Sequence, residues 1–268
     1  MQLLLVEGLA DIDWTAPWLA PFRQSGLQVA ASLRAGATVA QALNLEMRGS
    51  LDRPHLAAGP LRFGAQCDLP AGRAYEAFIA DTACVPTRDN LHDLFNGLVW
   101  LQWPALKRHL NELQAAQLVA HLANANRNAE RGAVRDALTL FDENAALLQL
   151  PLLLERALRT RDWPALFITH RAAWEEAQVW LFGHALIEKL VKPRKAITAH
   201  GWLLPADLPA DQLQAWLVEH LTPQRLASRG HHPLPILGVP GWWPANHSPD
   251  FYADAAVFRA STKLEQRR

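Results

Sequence analysis

Three short blocks of the chain carry the side chains best able to do chemistry. The first reads Pro86-Thr87-Arg88-Asp89-Asn90-Leu91-His92-Asp93-Leu94-Phe95-Asn96. With Asp89 as N-cap, a helix begins here, and His92 and Asn96 then lie one turn apart, as do Asp89 and Asp93. Leu91, Leu94, Phe95, Leu98 and Leu101 form the opposite, apolar stripe. A helix face that merely meets water is usually built from Lys, Glu, Gln and Arg, which favour helix. This face carries Asp, His and Asn, which are poorer helix formers, with Trp100 one turn beyond Asn96. It reads as a pocket wall. Capping and local hydrogen bonds are the alternative; they account for Asp89 but not for His92, Asp93 and Asn96 together.

The second block, residues 180–191, is apolar nearly all round, as a buried helix would be, and places His184 and Glu188 at i, i+4. A buried carboxylate needs a partner or a proton, and His184 or a divalent metal would supply one. The alternative is a Glu188 facing water beside Lys189 and Lys192. Gly183 predicts close approach of another backbone. In the third block, Arg135-Asp136 and Asp142-Glu143 bracket the apolar run 137–141. Such an acidic pair is either a cation ligand or an ordinary helix-end charge.

Brought together, these groups would make an enzyme. His92, His184 and Glu188 are the candidate metal ligands, with Asp142 as a fourth. Arg88 would face an anionic group, since guanidinium makes forked bonds to phosphate or carboxylate. Asp93 would be the general base or would orient His92, and Asn96 completes the polar face. The chemistry is metal-assisted hydrolysis of a small anionic molecule, with a phosphoester as one candidate and zinc, manganese or magnesium as the metal. A reading from another class is a non-catalytic ligand- or protein-binding protein in which the same cluster is a structural hydrogen-bonded network.

The blocks resemble those of a bacterial family, the "domain of unknown function 3025" proteins. The likeness rests on residues 86–100, 135–143 and 182–188. It rests also on Pro233-Leu234-Pro235-Ile236-Leu237-Gly238-Val239-Pro240-Gly241-Trp242, with Phe251-Tyr252 and Val257-Phe258-Arg259 after it. The resemblance brings no activity, fold or cofactor. It implies that these polar blocks are what such proteins share.

Bulk composition narrows the classes further. The chain has 268 residues, half of them hydrophobic, which provides for a sizeable core. Lys+Arg and Asp+Glu both number 26, so there is no overall field to draw in nucleic acid or an anionic membrane. The basic stretch Lys192-Pro193-Arg194-Lys195, followed by His200, is too short to reverse that. Cys67 and Cys84 belong to no C-x-x-C pair and read as reduced thiols. Residues 1–7 lack the basic region of a secretory signal. The apolar runs fall short of the roughly 20 residues that span a bilayer. A cytoplasmic protein with no membrane partner is expected. No dinucleotide-binding glycine motif, P-loop, zincin motif, nucleophile elbow or EF-hand loop is present.

The elements that must position the blocks are mostly helices. The pattern predicts one mainly helical domain over 1–261, α+β if a small antiparallel sheet or hairpin forms near 61–85, and a flexible tail over 262–268. Thr38 caps a helix starting at Val39. Residues 61–67 alternate as a strand, while Tyr75–Thr82 fits either a second strand or a helix. Further helices are expected from Asp89, over 104–131 and 133–141, and near 151–160, 163–170, 174–191 and 209–221, with a short strand at 147–150. Residues 222–259 have no period. Their Trp242, Trp243, Phe251, Tyr252 and Phe258 favour a coil pinned to the body, with His231, His232 and His247 exposed along it. No linker and no internal repeat is visible.

Overall fold

A computed structural model describes residues 8–49, 54–123, 128–228 and 230–260. The expected tail at 262–268 and residues 1–7 lie outside them. Helix dominates strand, 59% against 14%, so the fold is mixed α+β.

A turn of 3-10 helix at Pro17–Phe22 leads into α1 (Arg23–Arg34) and α2 (Val39–Arg48). The expected Thr38 cap is a full capping box. Its Oγ1 accepts from Gln41 N at 3.2 Å, and Gln41 Oε1 accepts from Thr38 N at 2.9 Å. A two-residue hairpin pairs β1 (His55–Leu56) with β2 (Gly59–Pro60). Then come β3 (Arg62–Ala65), α3 (Tyr75–Thr82) and β4 (Cys84–Thr87).

The sheet expected near 61–85 is therefore present with the opposite sense. β3 and β4 run parallel, with Phe63 opposite Val85. The ambiguous segment became helix, burying Phe78 and Ile79, and a helical crossover between neighbouring strands gives parallel pairing rather than a hairpin. Ala83, in the left-handed region at φ 51°, ends α3 and turns the chain into β4.

Three long helices follow, α4 (Leu91–Gln102), α5 (Pro104–Ala123) and α6 (Asn128–Asn144). After them come β5 (Ala145–Gln149), α7 (Leu152–Thr160), β6 (Gln178–Leu181), α8 (His184–Lys189), β7 (Thr198–Leu204), α9 (Leu213–His220), α10 (Pro223–Ala227) and β8 (His232–Pro235). Four of these strands form a sheet in the order β6-β5-β7-β8, in which only the β5–β7 pair is parallel.

The helix expected over 174–191 is broken into a 3-10 turn, β6 and the short α8. Val179, Trp180 and Leu181 pair with Leu148, Leu147 and Ala146, and sheet pairing outweighs their helical potential. The last stretch is pinned, as its aromatics suggested. Tyr252 and Phe258 are buried against Phe167 and Trp163, and Phe251 is buried against Tyr252 and Phe258 in turn. His232, expected to be exposed, opens β8 and is half-buried, as is His231, whereas His247 is exposed.

Buried apolar side chains form one cluster running from Leu9 to Phe258. No helix among the described residues is long and apolar enough to cross a membrane.

Candidate functional site

The site is assembled from α4, the C-terminal end of α6 and the start of α8. Asn90, rather than Asp89, caps α4, its Oδ1 accepting from Asp93 N at 2.7 Å. Asp89 reaches sideways instead and accepts from Val39 N at 2.8 Å, which ties α4 to the first turn of α2. Arg88 precedes the helix. Its Nε and Nη2 donate to the two oxygens of Asp93 at 3.1 and 2.9 Å, and its backbone N adds a bond of 2.6 Å to Oδ2. Asp93 is buried while 54% of the Arg88 side chain is exposed. Asp93 thus orients Arg88, where a general base or a partner of His92 was expected.

His92 is held by Glu188, whose Oε2 lies 2.8 Å from its Nδ1. His184 Nδ1 lies 2.8 Å from the backbone oxygen of Asp142. The two Nε2 atoms face each other at 3.0 Å, with the rings edge-on. His184 and Glu188 do not bond to each other, although i, i+4 spacing allows it; each reaches toward His92. Gly183 seats His184. A Cβ there would stand 2.5 Å from Asn144 N and from Glu143 O, so only glycine lets α8 start against the end of α6.

The acceptors on this row constrain where its protons sit. A carboxylate and a carbonyl oxygen only accept, so both Nδ1 atoms must be N–H donors. Burial pushes the pKa of His184 down to about 4, against the pull of Asp142. At neutral pH His184 is therefore uncharged, with a lone pair on Nε2. A second lone pair opposite it at 3.0 Å would be repulsive. His92 resolves this by carrying a proton on each nitrogen. Its pKa is raised, chiefly by the bond to Glu188, with burial opposing. With His92 protonated, the row reads Glu188, imidazolium His92, neutral His184, Asp142 carbonyl.

Beside this row stands Lys107 of α5, which sequence reasoning missed. It is buried, its Nζ bonded to Asp142 Oδ1 at 2.6 Å and to Asn96 Oδ1 at 2.9 Å, 5.3 Å above the Trp100 ring. Burial works to raise the carboxyl of Asp142, but the Lys107 charge, helped by His184, outweighs it and leaves the pKa lowered. Asn96 passes the network on, its Nδ2 donating to Tyr75 Oη at 3.3 Å. Glu76, also missed, accepts at Oε2 from Asn111 Nδ2 at 2.6 Å. In the amide orientation that satisfies its neighbours, Gln114 donates to the same oxygen at 3.2 Å. Burial, with the Asp142 charge adding and Lys107 opposing, lifts the Glu76 pKa to about 7. The one signal for Lys107 was its position flanking the Leu106-Leu110 stripe.

These groups face a cavity of about 440 Å³, lined by Tyr75, Glu76, Arg88, His92, Asp93, Asn96, Asp142 and His184, with Arg135, Thr139 and Glu143. All four residues expected to be catalytic, and three of the four expected to bind metal, are on its wall. Glu188 approaches His92 from behind, beside Lys189 and Lys192. The expected metal set does not converge on a point, because the Asp142 carboxylate turns to Lys107 and that of Glu188 to His92. Among the described residues no group of three or more His, Cys, Asp or Glu is arranged to hold a metal ion.

A family model described as "Protein of unknown function (DUF3025)" matches residues 61–262, a span that includes every residue of the cluster. No curated protein and no solved structure matches the chain.

Proposed function

The chain belongs to the DUF3025 family, and for this member we propose acid–base hydrolysis of a small anionic substrate, a phosphoester, in the cavity lined by His92. The observation that carries the proposal is the 3.0 Å contact between the two Nε2 atoms, each on a ring whose Nδ1 is already committed to an acceptor. It makes His92 a charged proton donor at the cavity wall. Arg88, fixed by Asp93, offers its remaining N–H groups to the anion. Exposed Arg135 lines the same cavity. His92 gives its Nε2 proton to the leaving oxygen, while Glu188 holds the ring and stabilises its charge. His184 keeps that proton aimed until the substrate takes its place as acceptor. Lys107, Asp142 and Asn96 form a paired floor that keeps α4, α5 and α6 in register.

Phenyl phosphate is a suitable test substrate, because its poor leaving group needs a proton. His92→Gln should lower its hydrolysis by about 10²–10⁴-fold, the usual worth of a general acid, and leave binding of inorganic phosphate in place. A variant as active as the wild type would sink the proposal.

One observation favours a second reading. Both Nδ1 atoms are held by acceptors, as in metal-binding histidines, whose second ring nitrogen is hydrogen-bonded, while the two Nε2 atoms face each other. At 3.0 Å the two Nε2 atoms leave no room between them for metal–nitrogen bonds of about 2.0–2.1 Å, so the rings would have to part to admit a zinc, manganese or magnesium ion, which would then supply metal-assisted hydrolysis. Elemental analysis of protein purified without a His tag separates the two. The non-catalytic reading draws on the paired Lys107, Asp142 and Asn96, and it predicts that His92→Gln alters thermal stability with no turnover to lose.

A further inference from the structure

Hydrolysis needs two proton movements, and the row around His92 supplies one of them. Four carboxylates line the cavity, those of Glu76, Asp93, Asp142 and Glu143. Asp93 is committed to Arg88 and Asp142 to Lys107, and no side-chain hydrogen bond among the described residues fixes Glu143. Glu76 is bonded differently. It lies in the first turn of α3, and Asn111 and Gln114 of α5 approach it as neutral amides, both donating to Oε2. Asn111 Nδ2 also donates to the Glu76 backbone oxygen at 2.9 Å, which fixes the residue along its length. With Oε2 occupied by two donors, a proton on this carboxyl belongs on Oε1.

We infer that Glu76 is the second proton-transfer group of the cavity, the base that takes a proton from the attacking water while His92 gives one to the leaving oxygen. This assignment rests on the hydrolytic reading above. The balance is complete with the groups present. The water oxygen bonds to phosphorus as the bond to the leaving oxygen breaks. One water proton goes to Glu76 Oε1, and the Nε2 proton of His92 goes to the departing alcohol. Exchange with solvent afterwards returns one proton to His92 and removes one from Glu76.

The surroundings suit a base that works near neutrality. Asp142 from α6 adds negative charge, Lys107 from α5 adds positive charge, and burial exceeds both, so the carboxyl loses its proton at about pH 7. A carboxylate at the ordinary value would be ionised throughout but a far weaker base.

The test is the pH profile of phenyl phosphate hydrolysis by the full chain, read with and without Glu76→Gln. The wild type should show a limb of kcat/KM rising through about pH 7 and a falling limb where His92 loses its proton. E76Q should lower kcat/KM by about 10²–10⁴-fold and abolish the rising limb, with inorganic phosphate still bound. Glu76→Asp, which keeps a titrating group, should retain a rising limb at reduced rate, and it decides the matter if E76Q fails to fold. A rising limb that survives in E76Q, or is missing from a folded and active E76D, overturns the role of Glu76 and leaves that of His92 standing. Wild-type protein that neither hydrolyses phenyl phosphate nor binds inorganic phosphate overturns the hydrolytic reading and this role with it. Carboxyl ¹³C titration gives a readout that needs no substrate: a Glu76 midpoint in the ordinary carboxylate range would contradict the inference.

Discussion

His92 draws its character from contacts that arrive from two different residues of α8. Glu188 holds one nitrogen at 2.8 Å and His184 faces the other at 3.0 Å, and the first of these is the main reason its pKa is raised. Glu188→Gln keeps the shape but removes the charge, so the His92 midpoint should fall, as read from its ring protons by NMR. A midpoint that does not move would mean that Glu188 is only a solvated neighbour. Two other shifts make stability depend on pH in opposite senses. Folded His184 stays neutral to about pH 4, whereas the unfolded residue takes a proton near its model value of 6.5. Its contribution is present above 6.5 and is lost as pH falls toward 4. Folded Glu76 keeps its proton to about pH 7 and the unfolded residue releases it near 4.5. That contribution is present below 4.5 and is lost as pH rises through 7. The thermal midpoint of E76Q should therefore gain on the wild type between pH 5 and pH 8, and a constant difference would show that Glu76 ionises normally.

The elements matter because each brings one partner of a pair whose other member lies far away in sequence. Gly183 is the tightest joint. Gly183→Ala would push a Cβ to 2.5–2.6 Å from the backbone atoms of residues 143–145, and backbone cannot step aside as a side chain can. The cost should be about 1–3 kcal/mol or more in denaturant unfolding, and His184 should lose its approach to His92; an unchanged midpoint would contradict this packing. The polar face of α4 was legible in the sequence because its spacing is local, and so was the Thr38 cap. The two-part nature of residues 174–191 was not, because a run such as Val179-Trp180-Leu181 fits a buried helix and a buried strand equally well. β7 escaped notice for the same reason, and β8 was hidden by Pro233 and Pro235, which an edge strand tolerates. The parallel sense of β3 and β4 followed from α3 forming between them. Lys107 and Glu76 carried no local signal, since their significance lies in burial and partners that only the packed helices provide.

Across the whole molecule, the apolar cluster from Leu9 to Phe258 joins the ends of the described chain to the cavity. The C-terminal stretch is fastened by polar bonds as well as by rings. Buried Asn246 Nδ2 donates to the carbonyls of Leu237 and Val239 at 2.9 and 2.8 Å, and Arg171 Nη1 donates to the Asn246 carbonyl at 3.1 Å. Limited proteolysis should accordingly trim the ends, and two stable halves would contradict a shared core. The central claim, however, is the proton between two imidazoles, and ¹⁵N NMR titration of the histidine rings in the full-length protein reads it directly. His92 should keep protons on both nitrogens to a midpoint above 6.5, while His184 carries a proton on Nδ1 alone and stays neutral down to about pH 4. A His92 that gives up its second proton below 6.5, or a His184 that takes one near 6.5, would contradict the account.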